Sequence, residues 1–297
     1  MLVALSGGPD SLALAAAVAF EAPRAGIRAG AVVVDHGLQA GSADAAANAA
    51  RQAEALGLDP VVVVPVTVGT DGGPEAAART ARYAALAAAA RDHAAVAVLL
   101  GHTLDDQAET VLLGLARGSG AASLQGMAAI SGLYRRPLLG IRRATTVQVC
   151  ADSGLVPWHD PQNDDPAYAR VRVRNTLLPV LERELGAGVP EALARTADQL
   201  REDSAALDHF AEEIAEDIAE HSEAGISLSV RALGANPPAL RQRLVRLAVE
   251  SEFGVTLSRV QTLEVCRLVT DWSGQGPIDL PGVRATRTGD RIEFSAG

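Results

Sequence analysis

A seven-residue run near the amino end, LSGGPDS (Leu5–Ser11), follows directly on the apolar residues MLVA. Consecutive glycine amides between a strand and a helix form a cradle for an anion, and Ser6 and Ser11 add hydroxyl donors around Gly7, Gly8, Pro9 and Asp10. The GxxxxGK[ST] pattern of a Walker loop is absent, so the guest suited to this turn is a pyrophosphate-sized anion held by main-chain N–H groups. A second run, GHTLDDQAET (101–110), places His102, Asp106 and Glu109 at i, i+4 and i+7 on one helical face, with Asp105 and Glu109 as another i, i+4 pair. Acids this close repel one another, and they make sense around a cation such as Mg²⁺ or a protonated amine. Two smaller sets accompany these. Asp35 and His36 stand in VVVDHGL (32–38), and Glu75, Arg79 and Arg82 recur at helical spacing in GPEAAARTARY (73–83). Arg79 and Arg82 suit phosphate or carboxylate oxygens, and equally suit a surface ion-pair ladder.

These groups need elements that bring them together. LVAL (2–5), AVVVD (31–35), VVVVP (61–65) and VAVLLG (96–101) read as buried strands. The alanine-rich stretches 10–20, 42–56 and 74–91 between them read as helices. Strand and helix in alternation imply right-handed crossovers and an α/β fold, a mostly parallel sheet with helices on both faces. Such sheets bind ligands beyond the carboxyl ends of their strands, where each run singled out above begins. From about Pro179 the pattern turns helical, over 187–220, 238–253 and 257–269, and ends in a short β element around TRTGD (286–290). The GAGVP run marks a boundary, giving a catalytic domain over 1–186 and a smaller, mainly helical domain over 187–297.

At 297 residues and 48% hydrophobic content the chain can bury a sizeable core. No uncharged run is long enough to span a membrane, and no leader pattern opens the chain, so a cytoplasmic protein is expected. Cys150 and Cys266 form no CxxC pair and read as small apolar core residues. The 26 basic residues are all arginine, which excludes any mechanism needing a lysine of this chain. The net charge of −10 argues at first against nucleic acid, but residues 117–174 carry eight arginines against four acids. That segment holds LARGSG (115–120), YRRPLLGIRR (134–143) and WHDPQNDDPAYARVRVRNTLLP (158–179). Arg170, Arg172 and Arg174 alternate with valines there, so an extended chain would present three guanidinium groups in one direction. With Arg117, Arg135 and Arg136 they form a candidate phosphate-binding surface, and Trp158, His159 and Tyr168 are available to stack on bases.

Taken in order, SGGPDS, VDHGL, the Glu75–Arg79 stretch with RY, GHTLDDQAET with RGSG, RPLL and the W-x-DPQN segment with its arginines resemble the tRNA(Ile)-lysidine synthetases. These are a family of the PP-loop, or N-type ATP pyrophosphatase, superfamily, with a Rossmann-like catalytic domain. The resemblance runs through about Leu181. It implies a two-step reaction in which ATP adenylates the wobble cytidine of the CAU anticodon of tRNA(Ile), releasing pyrophosphate. Free L-lysine then displaces AMP, leaving lysidine. It implies that Ser6 to Ser11, with Asp35 and His36, bind ATP, and that Asp10 lies near a Mg²⁺ for which Asp105 is a second candidate. His102, Arg79 and Arg82 would meet the charge of the adenylation transition state. Asp106 and Glu109 would meet the lysine ammonium, and the division of the carboxylates between metal and amine stays open at this point. Arg117, Arg135, Arg136, Arg170, Arg172 and Arg174 would face the tRNA.

The chain departs from the family at Val171, where a polar residue is usual. It also stops at Gly297, short of the extra domain of longer members, and Met1 opens directly on the first strand. Related tRNA thiolases share the SGG-x-DS turn and the acidic helix but work through paired cysteines, which this chain lacks.

Overall fold

The computed structural model describes residues 1–297 except 38–40, 70–72, Ser119 and 223–224, together with the side chains of Pro74, Glu75 and Ser222. Leu38 of the VDHGL run and the Glu75 side chain therefore lie outside the described residues. The chain forms two compact units, Met1–Leu200 and Arg201–Gly297.

In the first unit, β1 (Leu2–Leu5), α1 (Pro9–Arg24), β2 (Gly30–Asp35), α2 (Ser42–Ala55), β3 (Val61–Pro65), α3 (Pro74–Asp92), β4 (Val98–Leu100) and α4 (Leu104–Ala116) alternate as the sequence predicts. The chain continues through α5 (Ala121–Leu124), β5 (Ile130–Ser131), β6 (Tyr134–Arg135), α6 (Arg143–Asp152), α7 (Ala169–Arg172), a π-helical stretch (Val173–Leu177) and α8 (Leu178–Leu185). The sheet order is β3-β2-β1-β4-β6-β5, parallel except for the β5–β6 pair. Chain order runs outward from β1 through β2 to β3, then crosses to β4 on the other side of β1. The switch point is therefore the gap between β1 and β4, where open α/β sheets hold their ligands.

The strands are apolar on both sides because both faces are covered. Val3, Leu5, Ala31 and Val33 pack with Leu12 and Leu14 of α1 and with Ala46, Ala49, Ala50 and Ala53 of α2. Leu2, Val32, Val98 and Leu100 turn the other way, onto Leu86, Ala89 and Ala90 of α3. The alanine stripe brings α2 close to the sheet. Gly30 is required by an even closer approach, since a Cβ there would lie 2.3 Å from the Pro60 carbonyl oxygen.

Helix α9 (Val189–Ile218) carries the chain into the second unit, which contains β7 (Ala219–Ser222), β8 (Gly225–Ser229), α10 (Val230–Ala235), α11 (Pro238–Phe253), α12 (Arg259–Thr270), β9 (Ile278–Leu280), β10 (Val283–Thr288) and β11 (Arg291–Ala296). Its strands form an antiparallel sheet in the order β7-β8-β11-β10-β9. Leu228, Leu233, Leu244, Val249, Leu268, Ile292 and Phe294 centre its core. The sequence reading carries the long helix to Glu220. The structure instead places 219–222 and 225–229 in two strands, and β8 docks on β11 where Gly225 approaches Phe294 so closely that a Cβ would lie 2.1 Å from its carbonyl oxygen.

The largest fully buried side chain is that of Phe294. Phe294→Ala is expected to cost about 3–5 kcal/mol, read as a lowered urea midpoint at unchanged slope. A loss below about 1 kcal/mol would contradict its place in that core.

Candidate active site

The anion turn is built as the sequence suggests. Gly8 caps α1 without any side-chain cap and Pro9 stands at its start, so the first-turn N–H groups face the turn. Gly7 has φ +81°, and a Cβ there would press on Ala49 at 3.3 Å. Ser11 Oγ donates to the Gly8 carbonyl at 3.0 Å and accepts from the Ser6 amide at 3.1 Å. Ser11's one proton is thereby used, so Ser6 is the donor in the 3.1 Å hydroxyl pair. Trp158 closes the outer side, its amide donating to the Gly7 carbonyl at 2.9 Å.

Across the switch point, Gly101 after β4 lies against the start of α1. A Cβ on Gly101 would fall 3.1 Å from the Asp10 carbonyl and the Ser11 Cα, so the close approach of the two runs depends on this glycine. Beyond it Thr103 caps α4. Its amide and hydroxyl donate to Asp106 Oδ2 at 2.8 and 2.9 Å, and the Asp106 amide donates back to its hydroxyl. One carboxylate oxygen of Asp106 thus locks the helix end while the other, Oδ1, is left for the site.

Arginines surround the acidic face. Arg143 donates through Nε to Asp10 Oδ2 (3.2 Å), through Nη2 to Asp106 Oδ1 (2.8 Å) and through Nη1 to Glu109 Oε1 (3.3 Å), while its amide reaches Asp105 Oδ2 (2.7 Å). Arg174 forks onto Glu109 at 2.7 and 3.1 Å. Arg170 lies 3.3 Å from Glu109 as an ion pair whose Nε is not aligned for a hydrogen bond, and it donates to Thr110 Oγ1. Thr146 donates to Asp10 Oδ1. Glu109 is fully buried and Asp106 nearly so. Burial alone would raise the Asp106 pKa, but Arg143, the Thr103 donors and His102 outweigh it and hold the carboxyl below its usual range. Burial pushes Asp10 the other way, above its usual value, beyond what Thr146 and Arg143 pull back.

Arg170, Arg172 and Arg174 are not extended. Residues 169–177 are helical, so Arg170 and Arg174 share a face toward Glu109, and Arg172 lies on another, donating to the Pro166 and Ala167 carbonyls. Val171 and Val173 are buried, which explains the alternation without a strand. The sequence reading singled out neither Arg143 nor Thr146 individually. The signal for Arg143 was charge balance: three acids on one face need cations, and a chain without lysine must bring in arginines.

One cavity of about 710 Å³ joins these parts. Its walls include Ser6, Gly8, Pro9, Asp10, Ser11, Asp35, His36, Arg79, Arg82, His102, Asp106, Arg143, Trp158, His159, Arg170 and Arg174. Gly7 borders it through the turn, while Asp105 and Glu109 lie behind its wall. His36 Nδ1, Arg82 Nε and His102 Nδ1 are buried without a partner, so this region lacks polar groups that a bound ligand would supply. Arg79 stacks on Tyr83 at 4.9 Å and is exposed. His102 is lowered to about 4 by burial, assisted by Arg82, Arg136 and Arg170 and opposed by Asp106, and is a neutral imidazole at neutral pH. The turn, the open helix start and the unpartnered nitrogens fit a nucleotide triphosphate. Asp105 is held by the Arg143 amide and by Arg142, and Asp10 by Arg143 and Thr146. Among the described residues no group of three His, Cys, Asp or Glu could hold a metal ion.

The comparisons with known proteins bear on this geometry. A PP-loop domain model matches residues 1–181, and a model described as a TilS substrate binding domain matches 228–292. The chain is 64% identical to a tRNA(Ile)-lysidine synthase of Leifsonia xyli subsp. xyli, over 99% of this chain and 89% of that protein. It is 55% identical to one of Thermobifida fusca, over 98% and 89%. The chain belongs to the tRNA(Ile)-lysidine synthase family. Among solved structures, the U34-tRNA thiolase NcsA from Methanococcus maripaludis with its [4Fe-4S] cluster is similar at a TM-score of 0.56 and 20% identity, over 68% of this chain and 72% of that one. That likeness concerns the fold. Cys150 and Cys266 are each buried in the core of their own unit.

For a member of the tRNA(Ile)-lysidine synthase family, the placement of the basic segment matters. Arg117 is exposed, whereas Arg135 is half-buried on the Gly132 and Tyr134 carbonyls, and Arg136 is buried on the Ala128 carbonyl. No described helix is long and apolar enough to cross a membrane.

His102 gives a pH prediction. Its folded pKa of about 4 lies below the ordinary histidine value of 6.5, so between those values the unfolded chain binds the proton and the folded chain does not. Its contribution to stability is complete above pH 6.5 and lost as the pH falls toward 4. His102→Gln should flatten the fall in melting temperature over that window, and an unchanged slope would contradict a buried neutral imidazole.

Proposed function

We propose that the chain is an ATP-dependent ligase that converts the wobble cytidine of the CAU anticodon of tRNA(Ile) to lysidine, using free L-lysine. The observation that carries this reading is the meeting of the glycine turn and the acidic helix at one switch-point cavity, in a chain of this family. In the first step the C2 oxygen of cytidine attacks the α-phosphorus of ATP and pyrophosphate leaves. The Ser6–Ser11 turn holds the departing pyrophosphate through its main-chain amides, with the two hydroxyls bracing the turn, and Asp35 and His36 flank the nucleotide. Arg79 and Arg82 face the charge that develops on the phosphoryl oxygens, and neutral His102 offers a hydrogen bond to it.

In the second step the ε-amine attacks C2 and AMP leaves. Asp106 Oδ1, the oxygen that Thr103 does not engage and that Arg143 and Arg174 share, is the group that meets the ammonium. Glu109 acts from behind, holding Arg174, Arg170 and Arg143 in place, and contact with the amine would require one of them to give way. An ammonium is no nucleophile, so it gives up one proton to solvent before attack; the second leaves after the C–N bond forms, and the AMP phosphate, freed as the C2–O bond breaks, is the stronger base that takes it. A magnesium ion, when bound, would neutralise phosphate charge. Among the described residues Asp10 would hold it without a cage of further carboxylates, which suits an ion held mainly by phosphates and water.

Residues 1–186 are read as the catalytic domain and 187–297 as the part that binds the tRNA, in a cytoplasmic enzyme. Exposed Arg117 and Arg172 and half-buried Arg135 are best placed to meet phosphates; Arg136, Arg170 and Arg174 reach RNA only if they leave their present partners.

The test is incubation with ATP, lysine and a CAU-anticodon tRNA(Ile) transcript, followed by mass analysis of the nucleosides. Lysidine should form, with one AMP and one pyrophosphate per modified base; AMP formation independent of tRNA, or no lysine in the RNA, would reject the reading. Asp106→Asn should lower lysidine formation at least about 100-fold while tRNA affinity stays within about twofold. Full activity in that variant would remove Asp106 from the amine site.

A further inference from the structure

The three donor nitrogens of Arg143 go to three different carboxylates on two elements. Asp10 belongs to the first turn of α1, at the nucleotide end of the cavity, and Asp106 and Glu109 belong to α4, at its acidic end. Among the described residues Arg143 is the guanidinium that spans both ends, since Arg174 and Arg170 reach only α4. Its own backbone is fixed in turn by Asp105, through the amide bond at 2.7 Å. The guanidinium is planar and rigid, so a shift of one carboxylate tilts the fork against the other two.

The second oxygen of Asp106 sharpens the point. Oδ2 already accepts from the Thr103 amide and hydroxyl, so any cation entering the cavity meets Oδ1, where Arg143 Nη2 sits at 2.8 Å and Arg174 Nη2 at 3.5 Å. An incoming ammonium must share that oxygen. Arg143 thereby determines which lone-pair direction remains, and its bond to Asp10 refers that direction to the turn that holds the nucleotide.

We propose that Arg143 is a positioning residue that couples the two half-reactions, placing the amine at Asp106 in register with the nucleotide held beside Asp10. The proposal rests on the lysidine-forming reading above. Without the guanidinium, the adenylated base still forms but the amine is misplaced, and water takes its turn at C2. The water oxygen bonds to C2, the C2–O bond to AMP breaks, two protons leave to solvent, and cytidine is regenerated with ATP consumed. An error of about 1 Å in such an arrangement costs on the order of 100-fold in rate.

The experiment measures AMP released and lysidine formed in the same reaction, with the lysine KM and the melting temperature, for the full chain and for Arg143→Ala and Arg143→Lys. The unaltered chain should give one lysidine per AMP. Arg143→Ala should fall to about 0.1 lysidine per AMP or less while tRNA-dependent pyrophosphate release persists. Arg143→Lys should regain most of the melting temperature but not the ratio, since one ammonium cannot hold three carboxylates on two helices. A purely structural role would move the melting temperature and leave the ratio at one. If Arg143→Ala does not fold, the ratio of Arg143→Lys decides. A ratio of one with unchanged lysine KM in a folded variant overturns the coupling. An unaltered chain that makes no lysidine overturns the functional reading itself.

Discussion

The site depends on a fully buried carboxylate. Glu109 has no exposed surface, and its two oxygens gather Arg143 from α6, Arg170 from α7 and Arg174 from the π-helical stretch. Taking such a group out of water costs several kcal/mol, which only close and well-aligned counter-charges offset. Removing one partner leaves the others unmatched, so the network holds or fails as a unit. The segments after the sheet reach α4 because their arginines have this destination. The cavity wall they form is a consequence of that electrostatic requirement.

The second constraint is topological. Two runs a hundred residues apart meet because β1 and β4 are neighbours across the switch point, and because Gly101 lets the chain after β4 touch the start of α1. One strand end delivers uncapped amides, which favour negative charge. The other delivers carboxylates already matched by arginines. The reaction proposed above expels an anion and then admits a cation, which needs both characters within one cavity, and the sheet order places them side by side.

The first hundred residues were legible because their signals are local. Runs such as VVVV and alanine-rich helices have a clear period, and the elements differ from expectation by only a few residues. The turn and the α4 face were legible for the same reason. Helix α6 was not, since RATTVQVCAD mixes β-branched residues with weak amphipathicity, and so Arg143 was seen only as a member of a basic run. The alternation in RVRVR misled. It has the period of a strand, yet burial of Val171 and Val173 in a helical segment produces the same pattern. The β7–β8 pair was hidden because AEHS offers no alternating apolar face, and β8 is placed by the close approach of Gly225 to Phe294 of β11, a contact distant in sequence.

The charge distribution takes on a different meaning in three dimensions. Residues 117–174 have a surplus of basic groups, which on sequence alone reads as a surface for phosphates. In the fold, Arg142, Arg143, Arg170 and Arg174 pair with acids that lie outside that segment, among them Asp10, Asp105, Asp106, Glu109 and Glu191. The surplus is thus largely the counter-charge of the acidic helix and of α1. Few arginines of the segment remain free to release counterions from RNA, and each phosphate contact adds to the salt dependence of binding. On the reading proposed above, affinity from this segment should therefore depend weakly on salt, with discrimination arising from the shape of the cavity and the fit of an unstacked base, which is how single-stranded RNA loops are usually read.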